Sequence, residues 1–108
     1  GFAEMQLIGC ALGANKDSFT SLFALGDLIA TCGSASSRNR MLGERIGRGD
    51  TLEQAKLSLN GRVAEGVATT FACREFSEKI GLELPLMYQI HEVLVNGLNL
   101  KKLVASAL

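Results

Sequence analysis

Apolar residues recur along this chain at steps of three and four, and no stretch bounded by turn residues alternates apolar and polar residues. In residues 2–12 the apolar positions are Ala3, Leu7, Ile8, Ala11 and Leu12. This spacing places them on one face of an α-helix, whereas a half-buried strand requires a period of two. With 108 residues, 47% of them apolar, the chain can enclose one core. We therefore expect an all-α fold, a single compact multi-helix domain over residues 1–108.

Capping and helix-breaking residues predict where the helices begin and end. Asp17 is expected to cap a short second helix, which ends in a tight turn at Gly26 before Asp27 starts another. The other expected starts are Ser36 or Ser37, Thr51 with its capping-box partner Gln54, and Pro85. The other expected ends are Gly13, Asn60-Gly61, Gly81 and Gly97.

Four of the later helices have a predicted apolar face. The predicted faces are, in chain order, Met41, Leu42 and Ile46; then Ala68, Phe71 or Ala72, Phe76 and Ile80; then Met87, Ile90, Val93 and Leu94; and last Leu100, Leu103, Val104 and Ala107. The second of these is the clearest amphipathic pattern in the sequence, so its face is expected to pack on the core.

The charge balance limits the classes of partner. The chain has 11 basic and 11 acidic residues, and its formal net charge is zero. Nucleic-acid-binding domains usually carry a basic excess, so we expect no nucleic-acid partner, and any positive site must be local. No uncharged run approaches the roughly 18 to 20 residues needed to cross a bilayer, and no signal peptide is visible. We therefore expect no membrane span.

The cysteines argue against a metal centre. Cys10, Cys32 and Cys73 are widely spaced and odd in number, and His91 is the single histidine. This pattern fits neither a zinc site nor a disulfide framework, so no metal is expected. Buried thiols in a reducing compartment are the expected state, which favours a cytoplasmic location. His91 is interpreted as a packing or surface residue.

Arg38 and Arg40 stand at a predicted helix start, directly after Ser34-Ala35-Ser36-Ser37. The backbone N–H groups there already carry partial positive charge, so cations are unfavourable unless an anion is bound beside them. Arginine presents a planar fork of donors to phosphate, and Ser37 and Asn39 add neutral donors. The residues predict a phosphate site contacted by Arg38 and Asn39. The alternative is that these arginines extend into solvent.

The remaining arginines of this helix are expected to have another role. Arg45 and Arg48 lie in its last turns, where cations complement the dipole, and Glu44 is four residues from both Arg40 and Arg48. A structural role is therefore expected for Arg45 and Arg48. A different interpretation takes all four arginines as one cluster, with which a non-catalytic helical module binds an acidic partner.

Three further polar residues each allow two interpretations. Asp27 is by itself best explained as a helix cap, although a carboxylate there could also orient a lysine or a substrate hydroxyl. Thr31 lies one turn later on the same face. Glu65 lies in the irregular stretch Val63-Ala64-Glu65-Gly66, either as a plain surface carboxylate or as a partner of cofactor hydroxyls.

Four blocks, taken in order, resemble one enzyme family. They are Leu25-Gly26-Asp27-Leu28-Ile29-Ala30-Thr31-Cys32, Ser37-Arg38-Asn39-Arg40, Val63-Ala64-Glu65-Gly66-Val67 and Leu84-Pro85-Leu86. Together they closely resemble the C-terminal domain of bacterial NAD(P)-dependent glycerol-3-phosphate dehydrogenases, over essentially the whole chain. The resemblance implies a helical domain similar to the C-terminal domain of 6-phosphogluconate-dehydrogenase-like enzymes.

The resemblance also implies an activity. Enzymes of this family interconvert sn-glycerol 3-phosphate and dihydroxyacetone phosphate with NAD or NADP, a step of glycerophospholipid biosynthesis. An N-terminal Rossmann domain holds most of the cofactor, and the helical domain closes the substrate cleft. This chain opens inside a helical pattern, so we expect it to be a piece of a longer polypeptide whose Rossmann domain is missing here. A homodimer is compatible with the family.

The family pattern assigns roles to particular residues. Asp27, Ser37, Arg38 and Asn39 would contact glycerol phosphate, with Thr31 as a weaker candidate. Arg38 would also touch the cofactor, as would Val63 and Glu65. Asp27 would support a catalytic lysine that precedes this region, so the isolated fragment is expected to be inactive.

Three positions depart from the family pattern, and none of them lies in the four blocks. His91 replaces a frequent tyrosine, Arg62 a neutral residue and Ala24 a common glycine. These departures leave open the cofactor preference and the detail of the substrate pocket. A related dehydrogenase with a different small phosphate or hydroxy-acid substrate also remains an alternative.

Overall fold

All regular structure in the described part of the chain is helical. The computed structural model describes residues 2–34, 36–99, 101–102 and 105, except for the side chains at 20, 22–25, 28 and 31. The helices are α1 (Phe2–Ala11), a 3₁₀ helix (Lys16–Thr20), α2 (Leu22–Gly33), α3 (Arg38–Gly47), α4 (Leu52–Leu57), α5 (Glu65–Ile80) and α6 (Pro85–Asn96). The radius of gyration is 14.6 Å, against about 13 Å for a compact domain of this size. The predicted all-α fold is confirmed.

Most of the predicted helix ends are confirmed by capping geometry. The Ser37 hydroxyl accepts a hydrogen bond from the Arg40 N–H at 3.4 Å, which begins α3. Both bonds of the capping box between Thr51 and Gln54 are present at the start of α4. Gly81 and Gly97 follow α5 and α6 in the left-handed conformation that the end of a helix favours.

The prediction of a tight turn at Gly26 is wrong. α2 runs without a break from Leu22 to Gly33, so Asp27 lies inside a helix and does not cap one. The earlier 3₁₀ helix is capped by Asn15, whose Oδ1 accepts a hydrogen bond from the Asp17 N–H at 3.0 Å. A glycine inside a helix costs only about 0.5–1 kcal/mol relative to alanine, so Gly26 alone does not end an apolar helix.

The main core lies where α3, α4 and the start of α5 meet. Its buried residues are Leu42, Ala55, Leu59 and Ala64, and the partly buried Met41, Ile46, Leu52 and Val67 pack against them. The predicted apolar face of α3 is thereby confirmed. Because core residues lie within one turn of the N-termini of both α3 and α5, the core fixes where those two N-termini stand.

The predicted apolar face of α5 is only partly buried: Phe76 is half-buried, whereas Ala68 and Ala72 are exposed. Phe71 and Ile80 are 41% and 49% exposed, whereas Thr70 is buried. Thr70 tolerates burial because its hydroxyl donates a hydrogen bond to the Gly66 carbonyl at 2.7 Å. The buried side of α5 is therefore built around a satisfied polar residue, which an apolar pattern does not reveal.

α5 also packs on α6 through polar and aromatic groups. The Arg74 guanidinium lies 4.4 Å from the centroid of the Tyr88 ring and 3.6 Å from a Glu92 carboxylate oxygen. His91 meets the Phe71 ring edge to face at 5.1 Å, in agreement with its interpretation as a packing residue. On α6, Val93 is buried and Met87, Ile90 and Leu94 are half-buried, as predicted.

The buried residue of α1 is a glutamate. Glu4 accepts hydrogen bonds from the backbone N–H groups of Leu86 at 2.6 Å and Met87 at 2.9 Å, so its carboxylate caps the N-terminus of α6. The predicted apolar face of α1, by contrast, is largely exposed, with Leu12 at 69%. Gly9 lies directly under the Phe19 ring, and a Cβ there would collide with it.

The remaining predictions have mixed outcomes. Cys10 and Cys32 are exposed, so the expectation of buried thiols is wrong for these two, because no described element covers their helix faces. No helix in the described residues is long and apolar enough to span a bilayer. The predicted face of the last helix, Leu100, Leu103, Val104 and Ala107, lies outside the described residues.

Candidate phosphate-binding site

An open cavity of about 460 Å³ lies between the end of α2 and the N-termini of α3 and α5. Its lining residues are Ala30, Ser34, Ser36, Ser37, Arg38, Asn39, Val63 and Glu65. Binding sites for small ligands typically enclose about 300–1,000 Å³ and combine apolar walls with a few polar groups. The cavity is therefore of a size suited to a small organic ligand or to part of a larger one.

Five of the candidate site residues line this cavity together: Ser37, Arg38, Asn39, Val63 and Glu65. Asp27 does not line it. Asp27 is exposed on α2, one turn before Ala30 and on the same face of that helix, whereas Ser34 follows the last helical residue, Gly33. The side chain of Thr31 lies outside the described residues.

Arg38 is the first residue of α3, directly after the N-cap residue Ser37. The exposed Arg38 side chain makes no hydrogen bond or ion pair with any described residue. The first backbone N–H groups of a helix have no intrahelical acceptor, and they add a partial positive charge. Arg38 therefore brings a full set of unused donors to an electropositive end of the cavity.

Arg40, two residues later, is bound within the protein. Its Nη1 donates to the Gly33 carbonyl at 2.9 Å, and its Nε donates to a Glu44 carboxylate oxygen at 3.1 Å. A cation at the last carbonyl of α2 is favourable because it complements the negative end of that helix dipole. Arg40 thus joins α2 to α3 and does not line the cavity, so the two arginines at this helix start differ in role.

The arginines of α3 do not form a uniform cationic surface. Arg40 pairs with Glu44, and Arg45 pairs with Asp50 at 2.7 Å. An acidic partner would have to displace these internal carboxylates before it could bind the four arginines as a cluster. The structure therefore gives no support to the interpretation as a non-catalytic arginine-cluster module.

Asn39 connects the two helix N-termini at the cavity. Its Oδ1 accepts a hydrogen bond from the Gly66 N–H of α5 at 2.9 Å. Ala64, the N-cap residue of α5, provides no side-chain cap of its own. Asn39 of α3 therefore supplies the cap that α5 lacks, and a cap contributes typically about 1 kcal/mol.

The opposite wall of the cavity comes from the segment that leads into α5. Glu65 is the first residue of α5, where a carboxylate is favoured by the helix dipole. Its side chain is exposed, as is that of Val63. The wall thus offers a pair of acceptor oxygens beside a branched apolar side chain.

Sequence reasoning missed some residues of this site. Ala30, Ser34 and Ser36 also line the cavity, and the Ser34 and Ser36 hydroxyls lie 2.8 Å apart. The run of small hydroxyl residues before α3 was the available signal for the two serines. No local signal pointed to Gly66, because its contact with Asn39 joins residues 27 positions apart.

The arrangement can bind an anion, and Glu65 adds a carboxylate to its lining. Its donors are a free guanidinium, serine hydroxyls and the Asn39 amide, which together suit a phosphate ester. No lysine or histidine is among the residues that line the cavity. No group of three or more potential metal ligands occurs in the described part of the chain.

Comparison with known families gives a match over nearly the whole chain. The family model described as the C-terminus of NAD-dependent glycerol-3-phosphate dehydrogenase matches residues 1–105. No solved structure gives a significant match.

Curated relatives named glycerol-3-phosphate dehydrogenase [NAD(P)+] occur in several bacteria. The relative from Corynebacterium glutamicum (strain R) is 43% identical over 93 residues, which are 86% of this chain and 28% of the relative. The one from Pelotomaculum thermopropionicum is 48% identical over 99 residues, 92% of this chain and 28% of the relative. The one from Geobacillus thermodenitrificans is 43% identical over 106 residues, 98% of this chain and 31% of the relative. The chain thus spans less than a third of the length of these relatives.

Proposed function

Since the chain belongs to the family of C-terminal domains of NAD-dependent glycerol-3-phosphate dehydrogenases, we propose that it is the substrate-binding helical domain of such an enzyme. The full-length enzyme interconverts sn-glycerol 3-phosphate and dihydroxyacetone phosphate with NAD or NADP, as a step of glycerophospholipid biosynthesis. Its partners are the small phosphate substrate and an N-terminal Rossmann domain of the same longer chain. We place the enzyme in the cytoplasm and propose no nucleic-acid partner, and a homodimer is compatible with the family.

The guanidinium of Arg38, which lines the cavity and pairs with no described residue, is the observation that carries this proposal. Arg38, the Ser37 hydroxyl and the Asn39 amide are donors at the N-terminal end of α3, and they line one cavity. A phosphate group there would receive charge-assisted hydrogen bonds as well as the favourable field of the helix end. Holding the phosphate fixes the distance of the reacting carbon from the hydride acceptor, which is the main contribution of such an anchor to the rate.

The α5 side of the cavity fits the cofactor. The Glu65 carboxylate can accept hydrogen bonds from sugar hydroxyls, and the exposed Val63 can pack on a planar ring. Arg38 lies within reach of both ligands because it lines the same cavity. When bound, the nicotinamide supplies hydride acceptance and donation. These residues of the helical domain bind and orient, while the Rossmann domain holds most of the cofactor.

Asp27 and Thr31 complete the proposed substrate side. Asp27 lies on α2 one turn before the cavity-lining Ala30, and we assign its carboxylate to support the lysine that moves the carbinol proton. That lysine belongs to the preceding part of the longer chain. Thr31, on the next turn of α2, is the remaining candidate contact to the substrate.

Replacement of Arg38 tests the proposal. In the full-length enzyme, Arg38→Ala should lose about 1.5–3 kcal/mol of transition-state binding, or roughly 10- to 150-fold in kcat/KM for sn-glycerol 3-phosphate. Steady-state kinetics measure the change. Arg48→Ala is the matched control, because Arg48 stands at the opposite end of α3 and does not line the cavity. An Arg38→Ala enzyme with the kcat/KM of the Arg48→Ala control would disprove the proposal.

A further inference from the structure

The contact between Asn39 and Gly66 is the direct link between the two walls of the cavity. Asn39 lies on the wall with Ser37 and Arg38, and Gly66 directly follows Glu65 of the other wall. None of the donor and acceptor roles proposed above uses Gly66, which has no side chain. Gly66 can therefore contribute only through its backbone groups and through the space that its missing Cβ leaves free.

We infer that Gly66 is a positioning residue of this site, which acts through Asn39 by fixing the direction of its side-chain amide. The inference rests on the proposed function. Gly66 touches neither ligand. Its N–H and its missing side chain together determine which end of the Asn39 amide is available to the substrate phosphate.

The hydrogen bond determines which end of the amide faces α5. The Gly66 N–H is a donor, so the Asn39 atom that meets it at 2.9 Å must be the acceptor Oδ1. The two donors on Nδ2 are thereby left for a ligand in the cavity that Asn39 lines. Without this constraint the amide could present its oxygen to the phosphate, and two acceptors would then face each other.

The space above Gly66 is filled by the same amide. A Cβ built on Gly66 would lie 2.8 Å from Asn39 Oδ1, 3.0 Å from Cγ and 3.3 Å from Nδ2. Such distances are shorter than van der Waals contact, so any side chain at position 66 requires a shift. Because the obstructing atoms are the end of a short side chain, the Asn39 amide itself is the group displaced.

The backbone of Gly66 is held and has little freedom to retreat. Its carbonyl accepts the hydroxyl of the buried Thr70 at 2.7 Å. The next residue, Val67, packs against the main core, as does Ala64 on the other side. A substitution at position 66 is therefore expected to move Asn39 rather than α5, which leaves Val63 and Glu65 in place.

The test is a double-mutant cycle in the full-length dehydrogenase. Gly66→Ala should raise KM for sn-glycerol 3-phosphate by about 10-fold, the loss expected for one hydrogen bond to a charged group. The KM for the nicotinamide cofactor should change less than about twofold, because the α5 wall stays in place. Gly43→Ala is the matched control, since Gly43 is a helical glycine of α3 with nothing within 4 Å of its Cβ position.

The Asn39→Ala background separates positioning from simple damage. Removal of the amide alone should raise KM by a similar factor, and Gly66→Ala should add nothing further, since the group through which it acts is gone. Losses that multiply in the double variant would overturn the inference. So would a Gly66→Ala enzyme that behaves like Gly43→Ala.

Two further outcomes complete the test. If Gly66→Ala alone does not fold, the double variant with Asn39→Ala must fold and keep the KM of Asn39→Ala, because the collision is removed. A double variant that is also unfolded would overturn the inference. The Arg38→Ala variant distinguishes failure of the proposed function from failure of this inference. If Arg38→Ala keeps the wild-type KM for sn-glycerol 3-phosphate, the substrate assignment fails, whatever the result at Gly66.

Discussion

The side-chain amide of Asn39 stands between two helix N-termini, and its two ends have opposite hydrogen-bonding character. Oδ1 accepts the Gly66 N–H of α5, while the Nδ2 donors remain for the cavity. One residue thus contributes to the stability of the fold and to the proposed substrate site. The two contributions can be separated, because aspartate keeps the acceptor and loses the donor.

We predict that Asn39→Asp separates stability from binding. Its carboxylate can still accept the Gly66 N–H and is favoured at a helix N-terminus, so the melting temperature should match or exceed that of the wild type, whereas Asn39→Ala should lower it. KM for sn-glycerol 3-phosphate should rise by more than about 10-fold, because the Nδ2 donor is replaced by a negatively charged oxygen that repels the phosphate. Thermal unfolding and steady-state kinetics measure the two effects.

Asn60→Asp is the control for that variant, since it adds the same charge at an exposed position. An Asn39→Asp enzyme with wild-type KM would show that Asn39 does not donate to the phosphate. A melting temperature as low as that of Asn39→Ala would show that the cap on α5 is not its structural role.

The sequence grouped residues correctly where they are neighbours along the chain. Arg38 was singled out because a cation at a helix start is unusual, and it lines one cavity with Ser37 and Asn39, while its role there stays a prediction. The difference between Arg38 and Arg40 was not predictable with the same certainty, because one of the two partners of Arg40 is a carbonyl seven residues earlier. No pattern singled out Gly66 within its block, since its contact with Asn39 joins two helices.

Helix ends also organise this molecule at the scale of its elements. α3 and α4 are capped by their own preceding residues, Ser37 and Thr51. The N-cap residues of α5 and α6 provide no side-chain cap, and residues from other helices, Asn39 and Glu4, fill that role. A cap from the preceding residue fixes where its own helix begins. A cap from another helix also fixes the position of one helix relative to the other.

We predict that Glu4→Ala destabilises the domain by about 1–3 kcal/mol, because two N–H groups of α6 lose an ionised acceptor. Denaturant unfolding measures the loss. Glu83→Ala is the matched control, since the exposed Glu83 makes no hydrogen bond or ion pair with any described residue. Equal stability of the two variants would mean that water replaces the Glu4 carboxylate at α6 without cost.

Prediction of the elements failed where packing overrode local pattern. Gly26 was predicted to end a helix, but α2 continues through it, because one glycine weakens a helix too little to end it. The apolar spacing on α5 indicated a core face through Phe71 and Ile80, whereas the packed side carries Thr70 and Arg74. Thr70 donates its hydroxyl to the Gly66 carbonyl one turn earlier in α5, and Arg74 forms an ion pair with Glu92 that only the packing of α6 on α5 brings together.

At the scale of the whole molecule, the chain supplies one part of the proposed reaction centre. It spans less than a third of the length of its curated relatives, and no lysine lines its cavity. Large apolar side chains such as Leu12 and Leu57 are mostly exposed in the described residues. Under the proposed function, these helices bind the phosphate, and proton transfer is assigned to a group outside these residues.

We predict that a fragment of residues 1–108 does not oxidise sn-glycerol 3-phosphate, because the proposed function assigns both the proton-transferring lysine and most of the cofactor site to residues outside it. The measurement is NADH or NADPH production by a preparation whose helix content has been verified by circular dichroism. The full-length enzyme in the same assay is the positive control. Turnover by the fragment would show that the catalytic base is among these 108 residues.

The bond between Glu4 and the start of α6 has a consequence for the order of assembly. It joins residues 82 positions apart, so during synthesis the carboxylate leaves the ribosome well before its partners Leu86 and Met87. Closing so long a loop has an entropic cost that must be met by contacts formed elsewhere first. The attachment of α1 to α6 is therefore expected to come late in folding, after the local hairpin of α3 and α4 has enclosed Leu42 and Ala55.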